Sequence, residues 1–555
     1  MKKLFALILI AVTGISCSSS KVDNAAQTIT KESLMEHIAT LSSDEFLGRS
    51  TGTEGEEKTV RYLVEEFKAM GATSGVEDGS YVQPFPLLGQ KTMSHSMDVK
   101  AGSGNRTVSS LTFFEDFVAW PSNQSERVDI NNAELVYVGY GIQAPEENWD
   151  DFKGVDVKGK IIVIKNNDPE YDENLFGGKT RLYYGRYTYK YEKAKEMGAL
   201  GAIIIHTTPT AGYGWGVVSN GWSRERFYVK SDENADMGST EMNGWVTYEA
   251  GQKLFSQAGL NIDEMLEAAD SPDFEPVKLQ NTRLSVEIDA EYRDINSRNV
   301  IAKIEGNDPE LKNEYLVLTA HYDHLGITTA IDGDVINNGA EDNAAGVSAV
   351  LESMRAYKSI QSELKRSVLA VVVGAEEVGL LGSQYWAENP TVDPGKVTGN
   401  INLDGMNVYG KTNDLVIIGY GRNTLADKVV EVAEEQGRTV KPDANPEQGI
   451  FYRSDHFNMA KVGIPAIFPN PGNEFINKPD GYAETVDSVS AANYHSVNDE
   501  INEYWDLSGA VEDTRLFFEV GFRALNDSNL QAWKSGDEFE ATRLKMLEEV
   551  KHPTP

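Results

Sequence analysis

Five side chains of types that bind divalent metal ions occur in order along one stretch of the chain, and a sixth carboxylate stands beside the third. The five are His321, Asp342, Glu377, Asp404 and His495, and the sixth is Glu376. Imidazole and carboxylate groups are suitable zinc ligands. Two cations can share one bridging carboxylate, each taking a histidine and a further carboxylate, while the free carboxylate handles the proton of an attacking water. The set therefore predicts hydrolytic chemistry at a two-metal site.

The elements that must position these side chains are predicted from alternating apolar strands and helices after about residue 299. Strands are predicted at residues 315–319, 367–373, 397–403, 414–418 and 465–468, and helices at 344–357, 383–388, 425–435 and 507–525. His321, the pair Glu376–Glu377 and Asp404 each directly follow a predicted strand. Ligands gather at the carboxyl ends of parallel strands. The pattern predicts an α/β fold with a mixed, mostly parallel sheet flanked by helices.

The segment His321-Tyr322-Asp323-His324 places a histidine and an acid at one strand end. If His321 binds a metal through one ring nitrogen, the carboxylate of Asp323 can hold the other nitrogen and fix the ring. The side chain of His324 is predicted to face away from His321 and Asp323, and it has no predicted role. Asp342 lies at the predicted start of a helix, where an acidic residue is common because it caps the helix and stabilises its N-terminus. In the company of the other ligand types, we predict that Asp342 is the bridging ligand.

Two common hydrolase patterns are not found. The run Ser454-Asp455-His456 has the residue types of a catalytic triad, but it fits a helix start better, with Phe457 and Ala460 facing inward. The sequence has no G-x-S-x-G elbow, which argues against a serine hydrolase. It has no H-E-x-x-H motif either, which excludes the common single-zinc helix site.

Together, these segments resemble family M28 of the zinc metallopeptidases. The resemblance is carried by residues 321–326, 339–343, 376–383, 402–405 and 494–496, with 454–456 and 463–465 in the late part. It covers roughly residues 27–110 and 290–525. It implies the di-zinc exopeptidase fold and an activity of the aminopeptidase type on peptides.

The resemblance also implies roles for single residues. Two Zn²⁺ ions per chain are implied, on the ligands His321, Asp342, Glu377, Asp404 and His495, with Asp342 as the bridge. Glu376 is implied to be the general acid and base, Asp323 to orient His321, and Tyr494 to polarise the substrate carbonyl. The chain departs from the family pattern at residues 498–500, where many members carry a threonine.

A second unit is predicted between the two parts of the resemblance. Strands at 136–138, 161–164 and 201–205 and a helix at 189–197 resemble the β-rich protease-associated (PA) domain that is inserted in this family. The predicted units are residues 27–120 for the N-terminal part of the peptidase domain, 130–285 for the PA-like insertion, 290–527 for the catalytic domain and 528–555 for a C-terminal tail. In the first of these, Thr53 and Glu56 predict a capping box.

The first residues have the pattern of an export signal. Lys2 and Lys3 precede an apolar run that is too short to span a bilayer, and Cys17, the only cysteine, follows. Residues 1–16 are predicted to be a bacterial lipoprotein signal, with a lipid on Cys17 that anchors the protein in the cell envelope, on the periplasmic side or at the outer membrane. The alternative is a plain secretory signal with an incidental cysteine.

Composition and charge narrow the possible partners. Hydrophobic residues make up 40% of the 555 residues, enough for a sizeable core, and the formal net charge is −35. Nucleic acid is not expected as a partner, because phosphate binding needs a basic face. Peptides are the expected substrates, and an aminopeptidase is the leading hypothesis.

Three alternative functions stay open at this point. One is a carboxypeptidase, for which Arg453 is the candidate to bind the C-terminal carboxylate. The others are a single-zinc cyclase and a non-catalytic PA-containing binding protein. The complete set of five ligands and Glu376 argues against these last two.

Overall fold

The computed structural model describes residues 20–102, 106–230, 240–331 and 333–551. The predicted signal sequence and Cys17 lie outside these residues. The described strands join into one long sheet that runs through two units, which we call the catalytic unit and the second unit. Among the described helices, none is both long enough and apolar enough to cross a membrane.

The helices have the following bounds: α1 Lys21–Ala26, α2 Lys31–Leu41, α3 Glu54–Ala69, α4 Tyr187–Glu196, α5 Thr208–Ala211, α6 Trp215–Trp222, α7 Tyr248–Gln257, α8 Ile262–Ala268, α9 Gly346–Ser359, α10 Leu381–Glu388, α11 Thr424–Glu435, α12 His456–Lys461, α13 Tyr482–Asn493, α14 Ser508–Asn526 and α15 Glu540–Lys551.

The strands have the following bounds: β1 Thr73–Ser74, β2 Val82–Ala101, β3 Arg106–Leu111, β4 Phe117–Pro121, β5 Arg127–Tyr137, β6 Gln143–Ala144, β7 Trp149–Asp150, β8 Ile161–Lys165, β9 Gly201–His206, β10 Arg226–Val229, β11 Met242–Thr247, β12 Val277–Ile304, β13 Tyr315–His321, β14 Gly326–Ile331, β15 Asp334–Asn337, β16 Ser367–Val373, β17 Val397–Asn402, β18 Asp414–Ile418, β19 Thr439–Pro442 and β20 Ala466–Pro471.

The catalytic unit contains the mostly parallel part of the sheet, in the order β19-β18-β20-β17-β13-β16-β12. β13 pairs in parallel with β16 and β17, and β17 pairs in parallel with β20. β12 and β18 run antiparallel to β16 and β20. The prediction of a mixed, mostly parallel α/β sheet is therefore confirmed.

Both faces of this sheet are covered. Along β16, Val368 and Val372 belong to the core that includes α9 and α14, whereas Leu369 and Val371 belong to the core on the other face. All four side chains are fully buried. A strand that is apolar at every position, as β16 is, is typical of a sheet with helices on both faces.

The second unit continues the sheet in the order β12-β5-β8-β9-β11-β4. β5, β8, β9 and β11 are parallel neighbours, and β4 runs antiparallel to β11. The predicted strands at 161–164 and 201–205 match β8 and β9 closely. The assignment of this unit as a PA-like insertion stays a prediction.

Two long strands form the connection between the units. β2 and β12 pair in antiparallel register from Val82 opposite Val300 to Ala101 opposite Thr282, with one register shift at Asp289/Ala290. β12 also pairs with β16 in the catalytic unit and with β5 in the second unit. With 28 residues, β12 extends over about 90 Å at ~3.3 Å per residue.

Helix α3 begins without the predicted capping box. The side chain of Thr53 makes no capping hydrogen bond. Glu56 is fully buried, and its carboxylate accepts hydrogen bonds from the Gly52 amide, the Ser297 hydroxyl and the Tyr322 hydroxyl. The prediction was wrong because a tertiary network uses this carboxylate to tie α3 to β12 and to the residue after β13.

The residues after α14, predicted only as a tail, pack onto the catalytic unit. Trp533 and Phe539 are buried. Arg422 forms ion pairs of 2.7 Å with both Asp537 and Glu538, and its guanidinium lies over the ring of Phe539. This segment is therefore part of the fold over the residues that the structure describes.

Candidate metal centre

The sheet brings the candidate ligands to one edge. Because β13, β16 and β17 are parallel neighbours, their carboxyl ends lie side by side. His321 ends β13, Glu376–Glu377 follow β16, and Asp404 follows β17. Asp342 lies in the turn before α9, and His495 follows α13.

His321, Asp342 and Asp404 form one compact group. Nε2 of His321 lies 3.2 Å from Oδ1 of Asp342 and 3.1 Å from Oδ1 of Asp404. Nδ1 of the same ring donates to the backbone carbonyl of Asp323 at 3.1 Å, so the lone pair of a neutral ring lies on Nε2. One nitrogen and two oxygen atoms thus converge on one point.

Asp342, Glu377 and His495 form a second group around the other oxygen of the same aspartate. Nε2 of His495 lies 3.3 Å from Oδ2 of Asp342 and 3.0 Å from Oε2 of Glu377. His495 has a φ of 56°, an uncommon left-handed conformation for a histidine. Asp342 therefore presents one carboxylate oxygen to each histidine.

The predicted contact between the Asp323 carboxylate and His321 is not formed. Instead, the carboxylate of Asp323 accepts hydrogen bonds from the backbone amides of Glu376 at 3.0 Å and Glu377 at 3.3 Å. Its backbone carbonyl, not its side chain, faces His321. Asp323 thus orients the histidine through the main chain, and its side chain positions the Glu376–Glu377 loop.

Three further residues hold the carboxylate ligands, and this role was predicted for none of them. Asp499 accepts hydrogen bonds from the amides of Glu341 and Asp342 at 2.9 and 3.0 Å. Ser454 donates to Oδ2 of Asp404 and accepts from Asn402 at 2.7 Å. His324 lies 2.6 Å from Oε1 of Glu377. Partners of this kind orient metal ligands and tune their basicity.

Arg49 is a buried cation beneath the ligand-bearing loops. It is fully buried, and its guanidinium donates to the backbone carbonyls of Leu41, Tyr322, Asn338 and Gly339 at 2.6–2.8 Å. Burial lowers the pKa of Arg49 to about 10, although nearby acids raise it, so Arg49 stays charged at neutral pH. It ends a short helical segment, Asp44–Arg49, between α2 and α3.

Carboxylates outnumber cations at this edge, and the imbalance shifts pKa values. Burial raises the pKa of Glu376 well above its usual range, and the nearby Asp404 and Glu377 add to the rise. Burial lowers the pKa of His495, but its hydrogen bonds to Asp342 and Glu377 outweigh burial and raise that pKa to about 10. Protonated histidines thus balance part of the negative charge of these carboxylates, and a bound divalent cation can balance that charge instead.

Glu376 and Tyr494 line the cavity in front of the two groups. The cavity has a volume of about 530 Å³. Among the described residues, none donates a hydrogen bond to the carboxylate of Glu376, which leaves it free to accept a proton. Tyr494 is 64% exposed and stacks on His495 with 3.8 Å between ring centroids.

The donor set fits two zinc ions. Each group offers one imidazole nitrogen and carboxylate oxygens, which are zinc ligands, and the shared carboxylate of Asp342 suits a bridge. His321, Asp342 and Asp404 are the donors of one group, and Asp342, Glu377 and His495 are those of the other.

Part of the chain matches a known family of peptidases. Residues 299–518 match the model of peptidase family M28, a range that contains all five candidate ligands. The predicted resemblance to M28 peptidases is confirmed for these residues. The match excludes Arg49 and the second unit.

Several characterised or named proteins are similar to parts of the chain. The aminopeptidase YwaD of Bacillus subtilis (strain 168) is 28% identical over 201 residues, which cover 32% of this chain and 42% of that protein. Leupeptin-inactivating enzyme 1 of Streptomyces exfoliatus is 33% identical over 168 residues, 30% of this chain and 34% of that protein. A probable zinc metalloprotease of Pyrenophora teres f. teres (strain 0-1) is 30% identical over 132 residues, 22% of this chain and 26% of that protein. The chain thus spans less than half the length of each of these relatives.

Among solved structures, an aminopeptidase from Aneurinibacillus sp. strain AM-1 is similar to this chain, with 21% sequence identity and a TM-score of 0.49. The superposition covers 92% of this chain and 97% of that one.

Proposed function

We propose that the chain is a zinc-dependent aminopeptidase that hydrolyses the first peptide bond of peptides at a two-zinc centre. The observation that carries the proposal is the position of Asp342, whose two carboxylate oxygens lie 3.2 Å from His321 and 3.3 Å from His495. A carboxylate shared between two histidines in this way supports a bridging role. The similarity to named aminopeptidases supports the reaction class.

The chain's own residues would divide the work between them. His321, Asp342 and Asp404 would hold one zinc ion, and Asp342, Glu377 and His495 the other. When bound, such a pair polarises the substrate carbonyl and lowers the pKa of water. Asp323, Ser454, Asp499 and His324 would keep the ligands in place through the hydrogen bonds described above.

Glu376 would be the general base. Its carboxylate lines the cavity, and among the described residues no donor engages it. Its raised pKa suits a group that takes a proton from water and passes it to the leaving amine. Its backbone amide is held by Asp323, which keeps the side chain in position.

The charge of the cavity favours substrates that enter by the amino end. A free α-amine is a cation at neutral pH and is attracted by carboxylates. The cavity lining contains Glu341, Glu376, Asp404 and Asp499. Its apolar lining, at Met406 and other residues, can accept the first side chain of the peptide.

A carboxypeptidase is the second candidate, because Arg453 also lines the cavity. The deciding comparison uses one peptide in two forms, with its amine acetylated or its carboxyl group amidated. The zinc-loaded protein should cleave the amidated form and not the acetylated one. Cleavage of the acetylated form alone would make the protein a carboxypeptidase, and cleavage of neither would leave a binding protein. Glu376→Gln, assayed in parallel, detects contaminating peptidases.

A further inference from the structure

Three arginines lie together beside the cavity. Arg453 lines the cavity with Glu376 and Asp404. Arg181 and Arg186 come from the second unit. The side chain of Arg181 packs beside Gly449, where an added Cβ would lie 3.4 Å from Cδ of Arg181. Burial lowers the pKa of Arg453, and the charges of Arg186 and Arg181 lower it further.

Hydrogen bonds with backbone groups hold Arg181 and Arg453 in place but engage only some of the N–H donors of their guanidinium groups. The amide of Arg181 donates to the carbonyl of Pro446 at 3.2 Å, which joins the second unit to the loop that leads to Arg453. The guanidinium of Arg181 donates to the carbonyl of Thr210 at 3.2 Å, and its Nε is buried without an acceptor among the described residues. Arg453 donates to the carbonyl of Gln448 at 2.9 Å. Each guanidinium has five N–H groups, so most of them are free.

Among the described residues, none of the three arginines forms an ion pair, in a chain that is rich in acids. The net charge is −35, and other arginines, such as Arg293, Arg422 and Arg523, form ion pairs. Among the described residues, no acid lies within 4.0 Å of the guanidinium of Arg181, Arg186 or Arg453. The acids Asp168 and Glu170 offset the charge of Arg181, whereas Arg453, in the cavity wall, forms no ion pair among the described residues. A charge that lies near like charges without its own counter-ion is destabilising, which is understandable if the compensating anion arrives with a ligand.

The ligand chemistry follows from the cavity that Arg453 shares with the metal centre. The anion that a peptide carries is a carboxylate, either its C-terminus or an Asp or Glu side chain. A guanidinium binds a carboxylate through two parallel hydrogen bonds, which gives geometric selectivity as well as affinity. Because carboxylates at the metal centre favour the amino end, the arginines would receive a more distal part of the same peptide.

We propose that Arg453, with Arg181 and Arg186, forms a carboxylate-binding subsite that selects peptides with an anionic group beyond the scissile bond. This inference rests on the proposed aminopeptidase function. It assigns a substrate class: short peptides with a free C-terminus, or longer peptides with an acidic residue near the amino end. It also gives the second unit a part in substrate recognition.

The test measures kcat/KM of the zinc-loaded protein on matched leucyl peptides. The first pair is Leu-Ala-Ala and its C-terminal amide, and the second pair is Leu-Asp-Ala-amide and Leu-Asn-Ala-amide. The carboxylate member of at least one pair should be preferred roughly 10-fold, mainly through KM, as expected for a charge-assisted hydrogen bond. A preference within the first pair would show that the subsite binds the C-terminal carboxylate of the peptide. A preference within the second pair would show that it binds an acidic side chain.

Variants assign the preference to the arginines. Arg453→Gln and Arg186→Gln should reduce the ratio within the preferred pair to about one, and Arg453→Lys should retain part of it because the charge is kept. Arg106→Gln, an exposed arginine in β3, should leave the ratio unchanged. Added salt should weaken the preference.

The outcomes separate this inference from the proposed function. If the wild-type protein cleaves all four peptides at equal kcat/KM, or if Arg453→Gln keeps the preference, the subsite is refuted while the aminopeptidase function stands. If it cleaves none of them but hydrolyses acetylated peptides or nothing, the proposed function fails, and this inference fails with it.

Discussion

At the scale of single residues, two of the three carboxylate ligands, Asp404 and Glu377, use one oxygen to face a histidine ligand and the other to contact a supporting residue. Asp404 faces His321 with Oδ1 and accepts from Ser454 with Oδ2. Glu377 faces His495 with Oε2 and contacts His324 with Oε1. Removing a supporting residue should therefore make the carboxylate less well ordered, while the oxygen that binds the metal is still present.

Asp342→Ala should lose most of the metal, because both ligand groups use this one carboxylate. The metal content of the purified protein, measured by mass spectrometry, checks the prediction. Glu341→Gln is the matched control, because the neighbouring acid bonds to Tyr409 and Ser490 instead, and it should retain both ions. Two ions per chain in Asp342→Ala would exclude Asp342 as the bridge.

Glu376→Gln should keep its zinc but lose roughly 10²–10⁴-fold in kcat, the usual contribution of general acid–base catalysis. The amide has nearly the same shape but cannot take up the proton. Glu377→Gln is the informative comparison, since it should lose zinc as well as activity. If Glu376→Gln loses zinc while Glu377→Gln keeps it, the two adjacent glutamates have exchanged roles.

His456 should make the protein sensitive to acid. Burial lowers the pKa of this ring to about 3, and both ring nitrogens lack partners among the described residues. In the unfolded chain the ring takes up a proton below its ordinary pKa of ~6.5, whereas the folded protein keeps it neutral. Stability from this residue is therefore present above pH ~6.5 and is lost as the pH falls toward the folded pKa.

His456→Leu removes this contribution and keeps a side chain of similar size between Phe451 and Phe468. Between pH 7 and pH ~4.5, the wild type should lose roughly 2–3 kcal/mol more free energy of unfolding than the variant. Urea unfolding of both proteins at each pH measures the difference, and contributions common to both cancel. Equal pH dependence in the two proteins would contradict the prediction.

At the scale of elements, the start of α9 must approach the strand end that carries Asp404. A Cβ atom on Gly346 would lie 2.1 Å from the carbonyl oxygen of Leu403 and 2.2 Å from Oδ1 of Asn343. Asn343 in turn accepts from the amide of Gly405 at 2.8 Å. The glycine is thus required by space, because its backbone conformation is ordinary helix.

Gly346→Ala should destabilise the fold by about 1–3 kcal/mol or more, as overpacking does, and should weaken zinc binding through the shifted Asp404. Gly221→Ala is a matched control in α6, where a Cβ would meet nothing within 4 Å, and it should be neutral or stabilising by up to ~1 kcal/mol. Denaturant unfolding and zinc titration measure both effects. A neutral Gly346→Ala would show that the approach is not tight.

The sequence predicted the catalytic unit well because its signals are local. The strands β16 and β18 lie where their apolar runs predicted them, and α12 begins at His456, as its polar start and inward Phe457 indicated. Ligand types directly after such strands identified the edge of the sheet. These inferences need only the residues on either side of each position.

The supporting contacts could not be predicted, because they join distant parts of the chain. Arg49 bonds to carbonyls 273–290 positions away, and the pairing of Ser454 with Asp404 crosses 50 positions. Asp323 contacts His321 as predicted but through its carbonyl and not its carboxylate, because a residue's type does not reveal which of the two faces a neighbour. Glu56 likewise bonds to Ser297 and Tyr322 and not to its own helix start.

At the scale of the whole molecule, the second unit packs onto the catalytic unit near the cavity. The amide of Tyr183 donates to the carboxylate of Glu538 at 3.0 Å, and its ring lies 5.0 Å from that of Phe457. Lys461 forms an ion pair with Glu192. The segment that carries Arg453 and Ser454 is therefore supported by the second unit as well as by its own.

We also propose that the protein is held at a membrane through a lipid on Cys17. The expected result is that the native protein sediments with the membrane fraction of its host, because two or more acyl chains anchor stably. Cys17→Ser should remain as an unprocessed precursor or appear in the soluble fraction. Mass spectrometry of the N-terminus identifies the lipid. An unmodified N-terminus beyond Cys17 on a wholly soluble native protein would refute the anchor.

The paired strands β2 and β12 have a consequence for motion. Enzymes that close around their substrates usually rotate one domain about a few loop residues that act as a hinge. Here the chain passes from the catalytic unit into the second unit along β2 and returns along β12, and these two passages are paired antiparallel strands over the residues that the structure describes. A rotation of one unit relative to the other would have to bend or twist this ribbon, in which the register shift at Asp289/Ala290 interrupts the regular pairing. We therefore expect the two units to move relative to each other by small elastic deflections of a sheet, and not by rotation about a hinge.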